Sequence, residues 1–451
     1  MNAIPPKVIT ICQTLQDKGF EAWLVGGAVR DLLLQRSVHD WDFATNATPE
    51  QIQRCFSHSL DIGAKHGTIT VRLEGEGFEV TTYRKDGTYS DGRRPDSVEF
   101  STSIHDDLAR RDFTVNAIAF DPLVEGGGYY FDPYHGRQDL KAGILRTVGN
   151  AFDRFREDGL RLLRAVRFSA THNLTLIDST RIALAHTLDQ LGRVSIERIR
   201  DELTKTMAAA EPSRAFNLMA STGMLGAILP EMLPMVGCGQ NRYHEFDVWN
   251  HTMKVVDTCP ASDPMLRFAA LFHDIGKPAS KKPHTQHGDA TFYDHEHIGA
   301  TMTQDLMTRL RFSSDQVARV AHLVRHHFVR YESDWSDAAV RRWMRNVGVE
   351  HIPHLTTLAI ADIVGKGNAF IPLEITTINE LKHRIDSVGT IPTSSSMLAV
   401  SGHHVMTLLN IPPGPKVGNI LAELLERVTE DPTLNSEEKL LGLIPEVAAS
   451  V

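Results

Sequence analysis

Over residues 1–140, short runs of apolar and β-branched side chains alternate with helical stretches. Ala22-Trp23-Leu24-Val25, Trp41-Asp42-Phe43, Thr68 to Leu73 and Phe78 to Tyr83 read as strands. Glu74-Gly75-Glu76-Gly77 joins the last two, which predicts a hairpin with a glycine turn. Thr48-Pro49 supplies an N-cap and a proline at the first helical position, so Glu50 to Phe56 is expected to be helical. From about Asn150 apolar residues recur every three or four positions, as in Leu160, Leu163 and Val166, and again in Val317, Val320, Leu323 and Val324. The pattern predicts an α/β head with a small mixed sheet, followed by a mostly α-helical remainder. Punctuation at Pro230, Pro234, Gly237 and Gly239 sets a boundary before Tyr243, and a second lies near Gly365 to Pro372. These divide the helical part into a neck and body over 141–240, a further domain over 241–370 and a tail over 371–451.

A chain of 451 residues exceeds one ordinary core, and 42% hydrophobic with 23% charged residues excludes wholesale disorder. Cys12, Cys55, Cys238 and Cys259 include no C-x-x-C pair, so neither a disulfide framework nor a thiolate zinc site is expected, and a reducing cytoplasm fits best. No apolar run approaches the ~18 residues of a membrane helix, and Met1 to Thr10 lacks a signal-peptide core, so no membrane association is expected. With a net charge of -9, any nucleic acid must be held by local basic patches. Arg137 to Arg167 is such a patch, with eight Arg or Lys against four Asp or Glu.

Two short patterns in the head carry candidate chemistry. The strand Trp23-Leu24-Val25 runs through Gly26-Gly27 into Ala28 to Leu34, a turn at which a phosphate can approach the backbone. His39-Asp40-Trp41-Asp42-Phe43 then places two carboxylates at i and i+2, on one face of a strand. Such a pair repels itself unless a cation lies between. Magnesium takes oxygen ligands and keeps substrate phosphates in its shell. A solvated strand face with Trp41 and Phe43 turned inward would explain Asp-x-Asp alone.

The combination is more specific. Gly-Gly-x-Val-Arg-Asp, then Asp-x-Asp-Phe, then Arg110-Arg111-Asp112-Phe113-Thr114-Val115-Asn116-Ala117, resembles the class II tRNA nucleotidyltransferases, which include bacterial CCA-adding enzymes, and their relatives the bacterial poly(A) polymerases. These belong to the DNA polymerase β-like superfamily. The resemblance continues through Glu157 to Phe168 and Ser195-Ile196-Glu197-Arg198-Ile199, covering the first half of the chain. It implies that Asp40 and Asp42 are catalytic and hold Mg2+, and that Gly27 and Arg30 hold a nucleoside triphosphate. Arg111, Asp158, Arg161, Arg164 and Arg167 would contact the nucleotide, while Asp112 would support either the metal or the fold.

Cytosine and adenine both present an exocyclic amine donor beside a ring-nitrogen acceptor, whereas uracil and guanine present a carbonyl beside an N–H. An ionised aspartate only accepts and an arginine only donates, so Asp158 and Arg161 match C and A. Three apart on one helix, they would meet the same ligand edge. Ion pairs stitching an exposed helix, Glu157 with Arg161 and Asp158 with Arg161, are the structural alternative.

Arg84 to Pro95 is polar and glycine-rich and reads as a mobile loop. Its Tyr-Ser-Asp-Gly-Arg-Arg-Pro wording resembles the flexible loop of enzymes that add a whole C-C-A end. The resemblance implies template-independent addition of C-C-A from CTP and ATP to the 3′ end of a tRNA acceptor arm. Open alternatives are A-only or CC-only addition, poly(A) synthesis and a non-catalytic RNA-binding relative.

Downstream, His251, His273-Asp274-Ile275-Gly276-Lys277 and Asp362 resemble the ligand set of the HD phosphohydrolase superfamily. The resemblance implies a divalent ion (Mg2+, Mn2+, Ni2+ or Co2+) on His251, His273, Asp274 and Asp362, with phosphatase or 2′,3′-cyclic phosphodiesterase activity. His295 and His327 match positions that extend the set in some members. The residues after Gly365 include a helical stretch over Val417 to Val428 but no catalytic constellation; they would grip RNA or form a dimer surface, and the oligomeric state stays open.

Overall fold

Seven strands build one mixed sheet in the order β3-β4-β5-β2-β1-β8-β9, in which only β2 and β5 run parallel. In chain order these are β1 (Trp23–Val25), β2 (Asp42–Thr45), β3 (Ser59–Gly63), β4 (Thr68–Leu73), β5 (Glu76–Thr82), then β6 (Arg84–Asp86) and β7 (Val98–Phe100) as a separate ribbon, β8 (Ala119–Asp121) and β9 (Tyr129–Phe131). The computed structural model describes residues 4–63, 67–87, 98–283, 290–389, 392 and 394–451. Residues 88–97, most of the expected loop, lie outside them, and 84–86 are strand rather than loop.

The strands form where the pattern places them. Leu24, Phe43, Ile69, Val71 and Val80 are fully buried in the sheet's core. The hairpin turn is shorter than expected: Glu74 and Gly75 alone carry positive φ, 50° and 85°, the signature of a two-residue turn that matches strand twist. Helices α1 (Pro6–Asp17), α2 (Gly27–Leu33), α3 (Pro49–Cys55), α4 (Ile104–Ala109) and α5 (Gly136–Ala142) flank the strands in sequence. The Thr48 hydroxyl accepts from the Gln51 N–H and the Gln51 side chain accepts from the Thr48 N–H, a reciprocal cap worth about 1 kcal/mol.

From α6 (Ala151–Glu157) and α7 (Leu160–Thr171) the chain is helical, through α8 (Asp178–His186), α9 (Ile196–Thr206), α10 (Ser213–Thr222) and α11 (Met224–Ile228). The chain divides into two compact units, Met1–Leu233 with Arg309–Arg311, and Pro234–Thr308 with Phe312–Val451.

The second unit contains α12 (Val248–Thr258), α13 (Pro264–Phe272), the single turn α14 (Lys277–Ser280), α15 (His295–Arg309), α16 (Ser314–His326), α17 (Asp337–Val347), α18 (Ile352–Gly365) and α19 (Ile371–Val388). Met265 to Phe272 are all buried, so α13 is the unit's central helix, apolar all round. The punctuated stretch 365–372 falls between α18 and α19, which pack through Ala359, Ile363 and Ile378. Then α20 (Gly402–Leu409), α21 (Pro415–Glu430) and α22 (Glu437–Ser450) close on their own core around Ile420, Leu424, Leu440 and Ile444. No helix among the described residues is long and apolar enough to cross a membrane.

Candidate active site and metal centre

β1 delivers the chain into Gly26, whose φ of 68° and surroundings both demand glycine: a Cβ there would lie 3.0 Å from Arg111 Nη1 and 3.4 Å from Asp42 Oδ2. Gly27, the residue singled out from sequence, opens α2 and is under less constraint, its nearest neighbour being Arg30 Nη2 at 3.4 Å. Asp42 begins β2, so Asp40 stands just before the strand rather than two places along it. The two carboxylates still feel one another. Burial pushes the Asp42 carboxyl up to about 6, Asp40 and Glu79 add to the rise, and Arg111 opposes it. Glu79, the register partner of Asp42 on β5, was not singled out from sequence. Two acids, Asp40 and Glu79, raise the Asp42 carboxyl by repulsion, and oxygen donors of this kind suit a hard cation such as Mg2+.

Beside them opens a cleft of about 470 Å³, lined among the described residues by seven arginines and three aspartates. Gly27, Arg30, Asp42, Arg111, Asp158, Arg161, Arg164 and Arg167 all line it. Arg30, Arg164 and Arg167 surround the buried ring of Phe168, their guanidinium carbons 5.2, 5.2 and 4.3 Å from its centroid. Burial depresses the Arg167 pKa, and Arg164 and Arg30 depress it further against the pull of Glu202. So many cations facing one cleft suit a polyanion.

Asp112, which also lines the cleft, is tied into the fold. Its Oδ1 accepts from the Phe113 N–H at 2.8 Å and from Asn116 Nδ2 at 3.0 Å, and its Oδ2 accepts from Arg164 Nε at 2.7 Å. Burial alone would raise its pKa, but Arg164 and Asn116 outweigh burial and hold it at about 2.

Asp158 and Arg161 do not share a helix. Asp158 ends α6 with an extended backbone, and α7 starts at Leu160. The extended Asp158 makes the break, and the next position must be glycine because a Cβ on Gly159 would come 2.4 Å from the Gln190 carbonyl oxygen. The Asp158–Arg161 ion pair is replaced by two others: Asp158 Oδ2 accepts from Arg198 Nη2 at 3.0 Å, and Arg161 Nη1 pairs with Glu157 at 2.5 Å. Asp158 Oδ1 also accepts from the Leu160 N–H. Arg161 donates to the carbonyls of Arg154 and Arg110. The interrupted helix still aims both side chains into the cleft. The Glu157–Arg161 pair is one of the two weighed from sequence; Arg198, to which sequence reading gave no role, stands inside a motif segment already noted.

In the second unit His251 lies on α12, His273-Asp274 follow α13, Asp362 lies on α18, His295 opens α15 and His327 ends α16. His251 Nε2 is 2.9 Å from Asp362 Oδ1 and 3.1 Å from His273 Nε2, and His273 Nε2 is 3.2 Å from Asp274 Oδ2. The other Asp274 oxygen faces His295 Nε2 at 3.6 Å and His327 Nε2 at 3.8 Å. One aspartate therefore serves two adjoining donor clusters, each with ligand atoms within 4.8 Å of one another.

The imidazoles are set for metal. Nδ1 of His273, His295 and His327 each lies 2.7 Å from a backbone carbonyl, of Ala270, Phe292 and Val324, which directs every Nε2 inward. Both Asp274 oxygens are buried without a well-formed hydrogen bond, although Lys277 Nζ stands 2.6 Å from Oδ2. Burial opposes ionisation of Asp274 and Asp362, yet the facing imidazoles hold both carboxyls well below the usual range. Nitrogen and oxygen donors of this kind fit Mn2+, Ni2+ or Co2+ as well as Mg2+.

Fold and sites together define a nucleotidyltransferase head joined to helical domains, the last bearing an HD centre. Residues 22–146 match the family described as Poly A polymerase head domain, 173–235 the probable RNA and SrmB-binding site of polymerase A, and 243–364 the HD domain. The CCA-adding enzyme of Lactobacillus johnsonii is 32% identical over 97% of this chain and 98% of its own length. That of Oceanobacillus iheyensis is 44% identical over 52% of this chain, a match spanning 56%, about half, of that relative's length. The chain belongs to the CCA-adding enzyme family. The crystal structure of the Bacillus stearothermophilus CCA-adding enzyme in complex with CTP superposes with a TM-score of 0.75 at 27% identity, covering 99% of both chains. The Thermotoga maritima enzyme complexed with tRNA shares the fold at a TM-score of 0.59 and 19% identity, covering 100% of this chain and 97% of that one.

Replacing Asp112 with Asn is expected to lower stability by about 2 kcal/mol at neutral pH, the linkage value of a carboxyl moved from 3.8 to about 2. Because the folded pKa is depressed, this stabilisation is complete above about pH 4 and fades as pH falls toward 2. The gap between wild type and variant in the urea midpoint should narrow over that range.

Proposed function

We propose that the head adds C-C-A to the 3′ end of tRNA from CTP and ATP without a nucleic-acid template, as a cytoplasmic enzyme. The observation that carries the reading is the meeting, in one cleft, of an acidic grip at Asp42, an arginine cluster and the Asp158/Arg161 pair. Asp40, Asp42 and Glu79 would hold Mg2+, which when bound stabilises charge on the α-phosphate and lowers the pKa of the attacking 3′-hydroxyl. Arg30, Arg111, Arg164 and Arg167 bind and orient the triphosphate, whose pyrophosphate leaves as the 3′-oxygen bonds to the α-phosphorus.

Asp158 accepts the exocyclic amine of C or A, held in place by Arg198. Arg161 donates to the ring nitrogen with the N–H groups left over from its bonds to Arg154, Glu157 and Arg110. Uracil or guanine would leave both side chains facing like partners. The CTP complex of the Bacillus stearothermophilus enzyme and the tRNA complex of the Thermotoga maritima enzyme support the choice of substrates. The match of the head to a poly(A) polymerase family keeps poly(A) synthesis as the competing reading.

The HD centre, in the same proposal, hydrolyses phosphomonoesters or 2′,3′-cyclic phosphates. His251, His273, Asp274 and Asp362 would hold one divalent ion, and His295 and His327 a second that shares Asp274. Lys277, fixed by Gln240 Oε1 at 2.7 Å, places a positive charge where phosphate would enter.

Given a tRNA transcript lacking its last three nucleotides, the protein is expected to release pyrophosphate and yield ends that sequence as C-C-A. Asp42→Ala should lower incorporation by about 10³-fold. Runs of A, or incorporation untouched by Asp42→Ala, would overturn the reading.

Arg198→Ala should shrink the kcat/KM preference for CTP over UTP by about tenfold, with Arg198→Lys restoring part of it. An unchanged preference would separate Arg198 from base selection.

Dialysis against Mn2+, Ni2+, Co2+ or Mg2+ should give metal-dependent hydrolysis of 2′,3′-cyclic nucleotides, abolished by chelator and by His273→Ala. Equal turnover in wild type and variant would remove the hydrolase.

A further inference from the structure

The HD centre opens into a cavity of about 430 Å³ whose entrance is unlike that of the head cleft. Tyr243, Tyr293 and Phe328 line it while remaining 58%, 71% and 46% exposed. Scattered exposed aromatics need no explanation, but three converging on one pocket above a donor cluster form an apolar patch with a use. Phe328 is the best placed. Its ring centroid lies 6.2 Å from that of His295 and 6.4 Å from that of His327, the imidazoles on either side of Asp274 Oδ1. One face of Phe328 is taken by Arg330, whose guanidinium carbon is 4.7 Å from the ring centroid.

Resting on the hydrolase reading above, we infer that Phe328, with Tyr293 and Tyr243 at the rim, is a stacking platform for an unpaired nucleobase, so that the HD centre selects its phosphoester by the attached base. With its centroid 6.2 and 6.4 Å from the two imidazoles, Phe328 is near enough that a base stacked on it would reach the donor cluster through its own ribose. That spacing suits a phosphate on the 2′ or 3′ oxygen of the same nucleoside. Stacking is tolerant of base identity, because every base has a π face. The site should therefore discriminate base from no base, rather than one base from another. Arg330, Arg242 and Lys366 line the same pocket and supply cations for the phosphate or a neighbouring backbone. A free mononucleotide and the single-stranded end of an RNA offer the same chemistry.

The test uses the full-length protein and three substrates: adenosine 2′,3′-cyclic phosphate, a base-free methyl riboside carrying the same cyclic phosphate, and a short single-stranded oligonucleotide ending in it. The nucleoside should exceed the base-free compound in kcat/KM by about tenfold, mainly through KM. Phe328→Leu and Tyr293→Ala should shrink that ratio, and Phe328→Trp should keep it. Both positions are exposed enough for the variants to fold. A lower KM for the oligonucleotide assigns the site to RNA ends, and a lower KM for the mononucleotide assigns it to free nucleotides; either order supports the platform. A base-free compound turned over within twofold of the nucleoside, or a ratio untouched by Phe328→Leu, would overturn it.

Calorimetric binding of 3′-AMP and of ribose phosphate to chelator-treated protein separates this inference from the hydrolase reading. If no phosphoester is hydrolysed but 3′-AMP still binds, and binds at least fivefold more weakly to Phe328→Leu, the platform stands without the enzyme. If 3′-AMP binds no better than ribose phosphate, the platform falls whatever the turnover.

Discussion

Like charges do not gather unaided, and the arrangement of the head depends on how its arginines are restrained. Each one lining the cleft is tied to a carboxylate: Arg30 to Asp31, Arg110 and Arg111 to Asp107, Arg161 to Glu157, Arg164 to Asp112, Arg167 to Glu202 and Arg198 to Asp158. Asp107, Asp112 and Glu202 are themselves buried. The acids offset part of the repulsion and hold each guanidinium in one orientation beside the cleft. Charge-assisted bonds of this kind are strong where water is excluded, and the loss of one partner leaves a buried charge exposed to its neighbours.

The HD centre solves a related problem with neutral tethers. Backbone carbonyls hold His273, His295 and His327 by Nδ1, and Asp274, between the two halves of the cluster, turns one oxygen to each, while Asp362 stands against His251. In the head the fixed elements are cations awaiting an anion; in the HD unit they are lone pairs awaiting a cation. Both sites draw on groups from separate helices, so each is only as rigid as the packing beneath it. The central helix α13, buried along its length, supplies that rigidity beside His273.

The two clefts also divide recognition differently. The head cleft is crowded with charge, and among the described residues its one buried aromatic is Phe168, a floor for guanidinium groups. The HD pocket carries its aromatics at the entrance, exposed to solvent and free to receive a ring. Charge dominates the lining of the first, and apolar rings contribute to that of the second.

Resemblance to a known ligand set, not local pattern, pointed to the histidines and aspartates that meet in the HD unit. Local pattern alone determined a mixed-sheet head before a helical remainder, the hairpin between β4 and β5, the capped helix after Thr48 and the acidic pair at 40 and 42. Periodicity and turn chemistry encode these because they act between near neighbours. Tertiary structure decided the partners. Arg198 reaches Asp158 from 40 residues away, Arg164 reaches Asp112 from 52, and Arg167 reaches Glu202 from 35. Strand order puts Glu79 beside Asp42, and helix packing brings His295 and His327 to the far side of Asp274. The break at Asp158 removed the expected helical spacing of Asp158 and Arg161, and the Gln190 carbonyl packs so close to Gly159 that only glycine fits there. Which distant segment supplies a counter-charge or a clash depends on how elements stack, and no window of neighbouring residues contains that.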